Sequence, residues 1–131
     1  MSGITTNLST FPQDVQNAYG KIDSFIKTLG KDIQLKESET MMGYYRHYIG
    51  NGHGFVWIKP TGNVIHFYLT QASANVSPYT LPFSFQPIRG KSRIRANGYG
   101  GNTEISFHTH EIESQFDIIK DLITLAYKLR K

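Results

Sequence analysis

The stretch PIRGKSRIRANGYGG, residues 87–101, sets Arg89, Lys91, Arg93 and Arg95 at alternate positions with no acid among them. If the chain runs extended from Ile88 to Ala96, alternation places these cations on one face and Ile88, Ile94 and Ala96 on the other. The apolar side then docks on a core, and neighbouring cations stand about 6.5 to 7 Å apart. That spacing is close to successive phosphates on a nucleic-acid strand, so the chemistry of such a row is anion binding. Edge strands also use Lys and Arg against unwanted pairing, which is the alternative reading of the same residues. In the turn NGYGG, Tyr99 stands between glycines where a ring can stack on a base, although glycines serve hairpins as readily as phosphates.

The wider charge pattern points the same way. Between Thr40 and Thr103 there is no Asp or Glu, and the cations there are Arg46, Lys59, Arg89, Lys91, Arg93 and Arg95. All ten acids lie in the two flanking segments. Arg46 and Lys59 therefore join the row as candidate anion ligands. Eleven of the seventeen aromatic residues lie in the same middle segment, Tyr44, Tyr45, Tyr48, Trp57 and Tyr68 among them. Cations interleaved with aromatics suit single strands and nucleotides, whose bases stack. As a group, however, these aromatics are expected to fill the core of a sheet.

Catalytic chemistry has thinner support. His108 and His110 form an i, i+2 pair that points to one side of a strand, but a zinc site needs a third ligand from Glu104, Glu111, Glu113 or His66. A phosphodiesterase or metal-dependent hydrolase built on His108 and His110 is thus an alternative, against the plainer reading of two surface histidines. No P-loop, dinucleotide fingerprint or nucleophile elbow occurs, and Ser73, Ser77, Ser84, Ser92 and Ser106 have no recognisable setting. No catalytic residue, metal site or cofactor is assigned from the sequence.

These residues must be positioned by an α+β domain. From Pro12 to Leu29 the apolar residues Val15, Ala18, Tyr19, Ile22, Phe25, Ile26 and Leu29 recur at spacings of three and four, one stripe of a helix. Thr10 and Gln13 have capping-box spacing, and Gly30 is placed to end the helix in the left-handed conformation. From Ile33 to Leu69 aromatic and β-branched runs alternate with the punctuation GNGHG and TGN, which predicts antiparallel hairpins. In VIHFYL, Ile65, Phe67 and Leu69 share the core face, and Val64, His66 and Tyr68 the other. The span 71–86 is a long proline-containing connection with the character of a lid. A strand TEISFHT follows, then a second helix from about Glu111 to Leu129 with Ile112, Phe116, Ile119, Leu122, Ile123 and Ala126 inward. The expected architecture is an antiparallel sheet of about five strands with both terminal helices on one face.

Length and composition set the outer limits. A chain of 131 residues suits one domain, 1–131, with residues 1–10 expected to be a flexible N-terminus. With no cysteine, disulfides, thiolate zinc sites and cysteine nucleophiles are excluded. No apolar run approaches the roughly 20 residues of a membrane helix, and the opening MSGITTNLST lacks a signal-peptide pattern. A cytoplasmic location without membrane contact is expected.

Taken together, FVWIKPTGNVIHFYL, PIRGKSRIRANGYGGNTEISF and FDIIKDLITLAYK resemble a family of small bacterial and archaeal domains, domain of unknown function 5655. Pro87, Arg89, Gly90, Gly98, Gly100, Gly101, Ala126 and Tyr127 stand at the positions that carry the resemblance, which spans roughly Pro12 to Tyr127. Arg93 and Arg95 depart from it, since acidic or neutral residues are expected there. The resemblance implies a module often found at the C-terminus of larger defence-like or "predicted transport" proteins, and it implies no established activity.

The residues therefore point to a non-catalytic binding module for nucleic acid or a nucleotide-like phosphate ligand, held by Arg89, Lys91, Arg93, Arg95, Tyr99, Arg46 and Lys59. A protein-interaction or inhibitor module docking on an acidic partner is the alternative of a different class.

Overall fold

The computed structural model describes residues 11–38, 41–50, 53–71, 79, 87–88, 92–95 and 102–130. The expectations for residues 1–10, for Thr10 as a cap, for most of the 71–86 connection, and for Arg89, Lys91 and Tyr99 lie outside the described residues.

The elements run α1 (Gln13–Lys27), β1 (Ile33–Glu37), β2 (Met42–Arg46), β3 (Gly54–Thr61), β4 (Val64–Leu69), β5 (Ile94–Arg95), β6 (Thr103–His108), a 3-10 turn (Thr109–Glu111) and α2 (Phe116–Leu129). They form the expected α+β fold, with six described strands rather than about five. The short strands β1 and β5 close the two edges. The order across the sheet is β1-β2-β3-β4-β6-β5, and every pairing is antiparallel. Strand β6 thus inserts between β4 and the earlier strand β5.

Alternation decides which face is buried. Met42, Tyr44, Ile58, Ile65, Phe67, Leu69, Ile105 and Phe107 form one core with Val15, Ala18, Tyr19, Ile22 and Ile26 of α1 and Ile119, Leu122, Ile123 and Ala126 of α2. The helical stripes and the two-residue period of the strands meet there as the sequence predicts. The opposite phase, with Trp57, Lys59 and Thr61 on β3, His66 on β4 and Glu104, Ser106 and His108 on β6, forms the second face.

Local details depart from expectation for definable reasons. The first helix ends at Lys27 with Thr28 as a right-handed C-cap, and Gly30 does not adopt a positive φ. Gly30 is needed for space instead: a Cβ there would collide with the Tyr127 hydroxyl. The second helix begins at Phe116 rather than Glu111. Glu111 is turned back in the 3-10 turn, where its carboxylate accepts the His108 N–H at 2.8 Å. Among the described residues no helix is long and apolar enough to cross a membrane.

Candidate functional site

The sheet register assembles the second face from residues far apart in sequence. One cross-strand row reads Trp57, Tyr68, Glu104, Arg95; the next reads Lys59, His66, Ser106; a third reads Thr61, Val64, His108. Near the β5 edge of this lattice lies a cavity of about 320 Å³ lined by Val64, His66, Ile88, Ser92, Arg95, Glu104 and Ser106. It combines an apolar wall, Val64 and Ile88, with a cation, a carboxyl, an imidazole and two hydroxyls. That mixture suits a small ligand with one anionic end.

The centre of the site is a hydrogen-bonded chain. The His66 Nδ1 and Ser106 Oγ are 2.7 Å apart, and the His66 Nε2 and Thr61 Oγ1 are 2.9 Å apart. Neighbouring strands thus hold the ring at both nitrogens. Ser92 supports the loop before β5: its hydroxyl donates to the Ile94 carbonyl at 2.9 Å and accepts the Ile94 N–H at 3.3 Å.

The sequence-predicted cations separate in three directions. Arg95 stays on the second face with a side chain 59% exposed, and its guanidinium stands 3.7 Å from Glu104, beyond hydrogen-bond distance. Lys59 shares that face, directly opposite His66. Arg93 corrects the expected row, because it is buried and its guanidinium is 2.6 Å from Glu111. Arg93 precedes the two-residue strand in a bend, so strand alternation does not fix its direction. Burial works against the Glu111 charge, yet the hydrogen bonds from Arg93 and the His108 N–H outweigh it and hold the carboxyl below its ordinary range.

Arg46 is the second correction. It lies in the phase of Met42 and Tyr44, toward the helices, and not beside Arg95. Its Nε donates to Asp32 at 2.8 Å and its Nη1 to the carbonyls of Tyr127 and Arg130 at 3.0 and 2.7 Å. The guanidinium carbon also sits 3.9 Å from the Tyr127 ring centroid. Tyr127 donates to the other Asp32 oxygen at 2.7 Å. Despite its burial, Asp32 is held below the ordinary aspartate range by these donors. Arg46 is thus a clamp between β2, the β1 entry and the end of α2.

The His108 and His110 rings stack with centroids 5.2 Å apart. Among the described residues no group of three His, Asp or Glu side chains is arranged to hold a metal ion. The loop after β2 presents Tyr48 and Ile49, 60% and 44% exposed, behind His47 at a φ of 72°. Sequence reasoning considered His66 only as a metal ligand and gave Ser106 no setting. Their link depends on the β4–β6 register, which no local pattern carries.

No curated protein and no solved structure matches the chain. A family model described as domain of unknown function (DUF5655) matches residues 4–130, and the chain belongs to that family.

Proposed function

We propose that the chain is a binding module for a compact, nucleotide-like phosphate ligand that enters the cavity on the second face. Arg95 anchors the anion, Lys59 adds a second positive charge on the same face, and His66, Ser92 and Ser106 supply hydrogen bonds. Val64 and Ile88 cover the less polar part of the ligand. The observation that carries this reading is Arg95: a largely exposed cation lining a cavity of mixed polar and apolar walls, with its nearest carboxylate 3.7 Å away. A phosphate oxygen offers that guanidinium the charge-assisted, bidentate geometry that Glu104 does not complete.

A compact ligand is favoured over a long strand because Arg93 and Arg46 are engaged inside the protein. The setting that the family resemblance implies, a module often at the C-terminus of larger defence-like or "predicted transport" proteins, suits a domain that senses such a ligand.

Calorimetry with AMP, inorganic phosphate and a twelve-nucleotide single strand, at several salt concentrations, tests the reading. One AMP per chain is expected to bind, with only the modest salt dependence of screening and at least roughly tenfold weaker binding in Arg95→Ala. A log-log salt slope of about −3 to −4, seen only with the strand, would replace the compact ligand with a polymer. AMP affinity unchanged by Arg95→Ala would remove the anchor.

A further inference from the structure

We propose that Ser106 is a nucleophile, that His66 is its base, and that the cavity transfers acyl groups from acyl phosphates to water through Ser106. This goes beyond ligand binding and rests on the preceding reading only for Arg95 as the phosphate anchor.

A serine hydroxyl is a weak nucleophile until a neighbouring base takes its proton. The 2.7 Å separation between Ser106 Oγ and His66 Nδ1 places that base within reach. The second ring nitrogen lies 2.9 Å from Thr61 Oγ1. With the proton on Nε2, His66 donates to Thr61 and Nδ1 is left to accept from Ser106. Thr61 is therefore a positioning residue that holds the ring plane, one part of what an acid does in serine-hydrolase triads, while its hydroxyl can accept the Nε2 proton that leaves Nδ1 basic. His66 and Ser106 both line the cavity, so the pair faces space that a substrate can occupy.

Arg95 then selects the substrate class. It pairs across the sheet with Glu104, the second-face residue of β6 next to Ser106. Diagonal neighbours of this kind stand about 7–8 Å apart, with Cβ atoms somewhat closer, a gap that an arginine side chain and a phosphate together span. The carboxyl that lines the cavity, Glu104, is directed toward Arg95 at 3.7 Å. A leaving group that departs as an anion needs no acid, and the phosphate of a mixed carboxylic–phosphoric anhydride is such a group.

The step balances with the residues present. Ser106 Oγ bonds to the acyl carbon and its proton passes to His66 Nδ1. The carbon–oxygen bond to phosphate breaks, and the electron pair leaves on the phosphate oxygen opposite Arg95. The proton on His66 is released with the phosphate. Water then attacks the acyl-serine and gives its proton to His66; as the acid leaves, that proton returns to Ser106 Oγ. The net reaction is acyl phosphate plus water to carboxylic acid plus phosphate.

The test incubates the full chain with acetyl phosphate and, separately, with an uncharged fluorophosphonate that labels activated serines without needing an anion site. Phosphate release and peptide-mapped mass shifts are read for wild type, Ser106→Ala, His66→Gln and Arg95→Ala. Expected are an adduct on Ser106 with both reagents and phosphate release slowed roughly 10²- to 10⁴-fold in His66→Gln. Arg95→Ala is expected to raise KM for acetyl phosphate about tenfold while leaving fluorophosphonate labelling intact. Wild-type chain unlabelled at Ser106 by both reagents, or phosphate release unchanged in a folded Ser106→Ala, overturns the proposal, even if AMP still binds. Labelling of Ser106 without AMP binding supports the nucleophile and removes the ligand reading instead.

Discussion

Arg46 shows how a residue's type and its role can part. An arginine in an acid-free segment reads as an anion ligand, but its Nε and Nη1 donate to Asp32 and to the carbonyls of Tyr127 and Arg130. Lysine keeps the charge and loses the fork and the stacking over Tyr127. Arg46→Lys is therefore expected to lower stability by about 1–3 kcal/mol, since it leaves carbonyls and a carboxylate oxygen short of donors in a half-buried setting. Urea unfolding measures the loss, and AMP affinity should stay within twofold. Unchanged stability with lost affinity would return Arg46 to the ligand site. The corresponding sequence signal was present but nonlocal: nothing local joins Asp32 or Tyr127 to Arg46 until α2 is packed beside the start of β1.

At the scale of elements, the β2–β3 hairpin shows two glycines that make room for one indole. Gly43 lies inside β2, opposite Trp57, and a Cβ there would stand 2.9 Å from the indole Cδ1 and Nε1. Gly54, at the start of β3, has Trp57 Cη2 2.6 Å from where its Cβ would be, and Tyr45 meets the indole edge-on at a centroid distance of 6.0 Å. Gly43→Ala should cost about 1–3 kcal/mol by overpacking, and Trp57→Leu in the same chain should recover most of that loss. Because Trp57 is the single tryptophan, its emission reports the displacement directly. An additive double mutant would place the strain elsewhere. The helices and the two faces of β4 were legible because periods of 3.6 and 2 are local properties of sequence. The His66–Ser106 pair was not, because it joins residues forty positions apart through a register that emerges only when β6 inserts between β4 and β5. Arg93 was misread for the reverse reason: the alternation rule holds within a strand, and the described strand begins one residue later.

The whole molecule resolves the charge segregation of its sequence. Cations of the acid-free middle meet acids of the flanking segments: Arg46 with Asp32, Arg93 with Glu111, Arg95 with Glu104. The two tight pairs make stability depend on acid. Asp32 and Glu111 titrate below their ordinary values of 3.8 and 4.5 in the folded protein. The unfolded chain therefore takes up protons first as pH falls, and the stabilisation present above the ordinary values is lost as pH drops through the lowered ones. At the other end, burial pushes the hydroxyls of Tyr19, Tyr44 and Tyr79 above 10.0. Tyr44 donates to Asp23 at 2.6 Å and meets the Tyr19 hydroxyl at 3.1 Å, while Tyr79 donates to the Thr70 carbonyl. Their contribution is complete below pH 10 and declines as pH rises through the raised values. Thermal unfolding across pH should thus show a plateau near neutrality, a fall below about pH 4 and a second fall above about pH 10. Asp32→Asn and Glu111→Gln together should lower the plateau and flatten the acid limb, whereas Tyr44→Phe, which removes the hydrogen bonds to Asp23 and Tyr19, should lower the plateau and flatten the alkaline limb. An acid limb equally steep in the double variant would mean that other carboxylates, and not these two clamps, carry the acid sensitivity of the fold.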